Sequence, residues 1–155
     1  MSATAEQRVR AVRERMARAA ERSGRDPASI ELVAVSKRHT LEKVLEVHRA
    51  GIRVFGENRI QEAAEKVPAA PELCWHFIGQ LQRNKARRAA ELFELIHAVD
   101  TLKLAQTLSR LGLERGRSVP ALVEINIGGE DSKGGIAPAD AIDFIALGNV
   151  TINTN

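Results

Sequence analysis

The chain has one cysteine, Cys74, among its 155 residues. No intramolecular disulfide can form, so packing must hold the fold, and a reducing cytoplasmic compartment is the natural setting. Long apolar runs are missing as well. No window approaches the roughly 18 apolar residues of a membrane span. From Met1 to Arg22 charge alternates with alanine where a secretory leader would carry an apolar segment. Neither a membrane nor a secretory route is expected. Charge of one sign is scarce too, with 23 Lys plus Arg against 20 Asp plus Glu. So even a balance leaves no electrostatic footprint for nucleic acid. The densest basic run, Arg83, Lys85, Arg87 and Arg88, has no aromatic residue interleaved for base stacking and reads as a solvated helix face.

Several catalytic signatures are also absent. No GxSxG elbow, HExxH pair or P-loop occurs, and no GxGxxG follows the first strand. The four histidines show no metal-ligand spacing, so no metal is expected. Cys74 opens a strand at the end opposite the expected functional edge and reads as structural. Serine or cysteine hydrolysis and zinc chemistry therefore have little support, and a dinucleotide-binding Rossmann fold is weakly disfavoured.

What is present is alternation. Thr4 and Gln7 spell a capping box, and Val9, Val12, Met16 and Ala20 recur at helical spacing, giving a first helix over about 4–23. Apolar runs of strand length follow at Ile30 to Val35, Ile52 to Phe55, Cys74 to Ile78, Leu95 to Val99 and Ala121 to Ile127. Helical patterns separate them. Thr40 caps one that ends at Gly51, and Arg59 to Lys66 forms another that Pro68 and Pro71 close. Leu81 to Leu92 is the next. Asp100 then caps a helix stopping near Gly112, and Pro138 opens one running to Leu147. Continuous apolar strands, each followed by a helix, indicate an α/β fold with a parallel sheet. Periodicity does not separate a closed barrel from an open doubly wound sheet, and both put function at the carboxyl ends of the strands.

Residues just past each strand are accordingly the candidates: Ser36 to His39, Gly56 to Asn58, Gly79 and Gln80, and Gly128 to Gly135. Strand parity puts Val33, Val35 and Lys37 on one side. A lysine directed inward over valines would be partly desolvated, which favours the neutral amine needed to attack an aldehyde. His76 inside an apolar strand, and Glu124 with Asn126 on one face of the fifth, suggest a wet interior layer. For His76 alone, a satisfied core histidine is the simpler reading.

Four ordered blocks carry a resemblance. They are Leu32 to Lys37; Phe55-Gly56-Glu57-Asn58 with Gln61-Glu62; Trp75 to Gly79 with Leu81-Gln82 and Asn84-Lys85; and Val123 to Glu130 followed by Ser132 to Ile136. Together they resemble the pyridoxal-phosphate homeostasis proteins. The resemblance implies a single-domain TIM-type (β/α) barrel like the N-terminal domain of alanine racemase. It further implies pyridoxal 5'-phosphate held as a Schiff base on Lys37, with Asn58, His76, Asn126 and Lys133 around the pocket. Such a protein buffers vitamin B6 without turnover of its own; it is not an enzyme. The chain contains no tyrosine, the residue that usually serves racemases as second base. A fold-type III enzyme such as an amino-acid racemase is the alternative, and a non-binding remnant is another.

Length sets a further expectation. A full barrel takes about 250 residues, with roughly 200 as a lower limit, so 155 residues form an incomplete barrel of five to six strands. The whole of 1–155 is read as one partial cofactor-binding domain, with an atypical tail at 148–155 and no counterpart for the usual C-terminal phosphate site. Full-length relatives are expected to be monomeric. This chain is expected to bind the cofactor weakly and to self-associate through exposed edges.

Overall fold

The computed structural model describes residues 3–130 and 134–148. It opens with helix α1, Ala5–Arg22, where Thr4 Oγ1 accepts from the Gln7 amide and Gln7 Oε1 from the Thr4 amide, closing the capping box. Five β/α units follow: β1 Val33–Val35 and α2 Leu41–Arg49, β2 Val54–Glu57 and α3 Ile60–Ala69, β3 Cys74–Phe77 and α4 Ala86–Leu92, β4 Leu95–Val99 and α5 Leu102–Arg115, β5 Ala121–Val123 and α6 Ala141–Leu147.

All four strand pairings are parallel, and the strands lie in the order β1-β2-β3-β4-β5. A doubly wound sheet reverses its order at a switch point; here each strand lies beside its sequence neighbour. Right-handed crossovers in a sheet that never reverses put every helix on the same side. This is the winding of a barrel, present as a five-stranded arc.

Side-chain alternation shows in the burial. Phe55, Trp75, Phe77 and Ile96 point to the helices and are at most 2% exposed, in one cluster with Ala63, Ala89, Leu104 and Leu108. Phe55 and Trp75 lie in aromatic contact, and Trp75 Nε1 donates to the Ala70 carbonyl. The other face carries Val33, Val35, Gly56, His76 and Leu95. It is only partly covered, and Val35 is 51% exposed.

Several boundaries differ from expectation. The run beginning at Ile30 pairs only over Val33–Val35, because Pro27–Ser29 forms a 3-10 turn capped by Asp26 that delays the strand. Of the two prolines expected to close α3, Pro68 lies within its last turns, where Ala70 still donates to the Lys66 and Val67 carbonyls, and Pro71 follows the C-cap Ala70. The helix expected from Leu81 begins as a 3-10 turn at Arg83–Lys85 and becomes α-helical only at Ala86. Thr101, not Asp100, caps α5, its hydroxyl accepting from the Leu104 amide. α5 also runs through Gly112 to Gly116, whose φ of 64° supplies the left-handed stop. Gly112 serves close packing instead, since a Cβ there would lie 3.0 Å from the Arg117 carbonyl oxygen. β5 ends at Val123, and beyond it Ile125 bridges Ile136. The expected atypical tail falls outside the described residues beyond Gly148.

Candidate functional site

Since all five strands are parallel, their carboxyl ends form one rim. Val35 pairs with Gly56, and Gly56 with His76, so Lys37, Asn58 and Ile78 each stand two residues past that row. The ladder extends beyond the strands: the Ser36 amide donates to the Gly56 carbonyl at 3.0 Å and the Ile78 amide to the Glu57 carbonyl at 2.8 Å. A Cβ on Gly56 would come within 2.9 Å of Ile78 Cδ1 and 3.3 Å of Val33 Cγ1. Glycine thus lets those two side chains close together into an apolar floor. Lys37 itself is exposed. The desolvation expected of it is therefore not found, because the partly covered sheet face leaves its side chain in solvent.

The backbone around Lys37 is tied on both sides. Before it, the Ser36 hydroxyl donates to Glu57 Oε1 at 2.7 Å, and Lys66 Nζ donates to the Ser36 carbonyl at 3.1 Å and to Glu57 Oε1 at 2.7 Å. All three residues are buried, and Glu57 has no exposure at all. After it, the Arg38 amide donates to Glu62 Oε2 at 2.8 Å. That hydrogen bond, ahead of the nearby Lys66 charge, holds the Glu62 carboxyl below its ordinary value. Arg38 has a φ of 64°, the one non-glycine residue with positive φ among the described residues. Such a conformation costs on the order of 1–3 kcal/mol unless its surroundings hold it.

Asn58, at the end of β2, is half-buried. Gly79 lets β3 pass close beside it, for a Cβ there would lie 2.6 Å from the Asn58 carbonyl oxygen. His76 lies deeper and is 5% exposed. His97 Nε2 lies 3.0 Å from its Nδ1, and Cys74 Sγ 3.5 Å from its Nε2. Both ring nitrogens are engaged, so His76 supplies packing below the rim and no free donor. Burial lowers the pKa of both histidines, reinforced for His76 by its partner ring and opposed by Glu31. Burial raises that of the Cys74 thiol. No group of metal-ligating side chains gathers among the described residues.

On the β5 side, a hollow of about 450 Å³ is lined by Gln80, Glu124, Asn126 and Glu130. Asn126 Nδ2 donates to the Glu130 carbonyl, and its backbone amide to the Ile136 carbonyl. Gly134 sits where a Cβ would lie 2.6 Å from Gln80 Nε2 and 3.3 Å from Asp100 Oδ2. Lys133 lies outside the described residues. Lys37 and Asn58 thus share the β1–β2 end of the rim, Asn126 stands at the β5 end, and His76 lies below.

Reading the sequence missed the Glu57–Lys66 pair and the His76–His97 bond. Parity offered a signal for Glu57, which alternates with Phe55 and so had to face the helices. Nothing local links it to Lys66 on the following helix.

The profile of the "Alanine racemase, N-terminal domain" matches residues 8–151. A "Pyridoxal phosphate homeostasis protein" of Pseudomonas aeruginosa is 46% identical over 145 residues, covering 90% of this chain and 61% of that relative. PipY of Synechococcus elongatus PCC7942, solved with PLP bound, is 40% identical with a TM-score of 0.70, covering 89% of this chain and 67% of PipY. An alanine racemase of Clostridium difficile 630 shares only the fold: 16% identity and a TM-score of 0.65, over 80% of this chain and 34% of the racemase. The chain spans about three-fifths of the length of the curated relatives it matches, 61% of the Pseudomonas protein. The four sequence blocks and the five-stranded arc agree with these matches: the chain belongs to the alanine racemase N-terminal domain family and, within it, to the pyridoxal phosphate homeostasis proteins.

Proposed function

We propose that this chain holds pyridoxal 5'-phosphate on Lys37 and serves intracellular vitamin B6 homeostasis, with no turnover of its own. The observation that carries the reading is the placement of Lys37: an exposed amine at the strand rim, above the Val33 and Ile78 floor, on a backbone tied at both neighbours. When bound, the cofactor supplies an aldehyde carbon with which the Lys37 amine forms a C=N bond as one water leaves.

The residues fit such a group. An apolar floor suits a planar ring, and half-buried Asn58 stands beside it, packed against Gly79. His76 closes the layer below. Asn126 stands at the β5 end of the rim, and Lys133 is included among the cofactor-binding residues from its sequence block alone. Relatives named for pyridoxal phosphate homeostasis, and PipY with PLP bound, support the same reading.

No helix among the described residues is long and apolar enough to cross a membrane, and the proposed ligand is a small molecule found in the cytoplasm. The test is titration of the purified chain with pyridoxal 5'-phosphate, borohydride reduction and peptide mass mapping beside Lys37→Ala. Label confined to Lys37 and lost in the variant supports the reading. Scattered label indifferent to the substitution refutes it in favour of a non-binding remnant.

A further inference from the structure

Among the described residues, the most heavily buried charges lie behind the rim and touch no open surface of it. Glu57 has a fully buried side chain, that of Lys66 is 10% exposed, and their ends meet at 2.7 Å. Glu57 Oε2 is buried without a partner among the described residues. A pair of this kind is a poor way to gain stability, because desolvation offsets most of the attraction and an apolar pair of similar volume often does as well. What the pair does that apolar side chains cannot is reach Ser36, taking its hydroxyl on Glu57 and its carbonyl on Lys66.

Glu62 extends the arrangement. It lies one helical turn before Lys66, with 3.7 Å between Glu62 Oε2 and Lys66 Nζ, and the same oxygen accepts the Arg38 amide. One connected set of charges thus grips the residue before Lys37 and the residue after it, and holds the left-handed turn at Arg38. The Lys37 amine is left out of the set and stays exposed.

We propose that Glu57, Lys66 and Glu62 are positioning residues for Lys37, acting through Ser36 and Arg38 to fix the direction in which its amine leaves the rim. The proposal rests on the reading of Lys37 as the cofactor-holding residue. An untethered lysine at a strand end samples many directions, and an amine held near one approach line loses less entropy when it meets the carbonyl carbon. Glu62 is the informative member. It is only partly buried, so replacing it leaves the core intact. Gln in its place keeps an oxygen for the Arg38 amide, and Ala does not.

The experiment compares the full chain with Glu62→Ala, Glu62→Gln and Ser36→Ala. Each is followed by thermal melting, by cofactor titration on the imine absorbance, and by borohydride labelling at Lys37. Glu62→Ala is expected to weaken the apparent affinity about tenfold, the equivalent of one well-placed hydrogen bond to a charged group, and to spread label to other lysines. Glu62→Gln recovers most of the affinity. Ser36→Ala falls between them; melting is little changed in the two Glu62 variants and lowered in Ser36→Ala, which takes a donor from the fully buried Glu57 carboxylate. Equal titration curves for Glu62→Ala and the unaltered chain, or losses that follow only the fraction unfolded, overturn the proposal. Absence of Lys37 label in the unaltered chain overturns the underlying reading, and this one with it.

Discussion

His76 and His97, on adjacent strands, share one hydrogen bond of 3.0 Å between Nδ1 and Nε2, their ring centroids 5.1 Å apart. One ring must donate and the other accept, which needs at least one neutral imidazole. Protonating both would set two N–H groups against each other.

A pH dependence follows. Burial lowers both pKa values from 6.5, so near and below that value the unfolded chain binds protons that the folded chain resists. Stability from this pair is full above pH 6.5 and is lost as pH falls through and below it. Glu31 opposes the shift in both rings, Glu94 opposes it at His76, and the Cys74 thiol faces His76. The melting temperature is expected to drop between pH 7.5 and pH 5.5 by about several degrees, and His97→Asn should flatten that slope. Glu46 and Glu62, held below 4.5 by Lys43 and by the Arg38 amide respectively, act only in a more acid window.

The Glu57–Lys66 pair gives a second prediction. Removing either charge alone leaves the other buried without its partner, and Glu57→Gln or Lys66→Met should each destabilise the fold by about 3–5 kcal/mol in urea denaturation. The double substitution should cost clearly less than the two single costs added together. A strictly additive cycle would mean that the two charges are independently solvated in the folded chain.

Much of this is legible in the sequence. Phe55 and Trp75 alternate with residues of the other face, Thr4 and Gln7 spell a capping box, and Thr40 precedes an amphipathic run. These are local patterns with a fixed period. The order of the strands was not legible, because open and closed sheets alternate identically along the chain; the unreversed order β1-β2-β3-β4-β5, with β4 paired to β3 and β5 to β4, decides it. Thr101 displaced Asp100 as cap since the two are adjacent and equally suited by type. The exposure of Lys37 and the tie from Lys66 to Ser36, thirty residues apart, depend on tertiary packing that no short spacing encodes.

Two glycines at the rim should respond differently to a methyl group. At Gly79 the added Cβ meets the Asn58 carbonyl oxygen at 2.6 Å and Asn58 Cα at 3.0 Å, both backbone-anchored. At Gly56 the nearest atom, at 2.9 Å, is the Cδ1 end of Ile78, which can rotate away. Gly79→Ala is expected to cost about 1–3 kcal/mol and to weaken cofactor binding by displacing Asn58. Gly56→Ala should cost less in stability. Parallel melts and titrations check both, and a reversed order would show that the floor is stiffer than the rim.

The last prediction concerns association. Val35 at the carboxyl end of β1 and Leu122 in β5 are 51% and 48% exposed, on the face that the helices do not cover. Each belongs to an end strand of the sheet, paired on one side among the described strands. Exposed apolar side chains beside unpaired strand edges are what a second chain pairs with most readily. Light scattering should therefore give a mass above that of one chain that rises with concentration, while Val35→Lys combined with Leu122→Lys lowers it toward the monomer. Because a charge on an edge blocks strand pairing without opening a cavity, the melting temperature of the double variant at high dilution should stay near that of the parent. If association persists unchanged in the variant, the contact runs through another surface, and Ile142 and Leu147 on α6, 80% and 62% exposed, are the next residues to substitute.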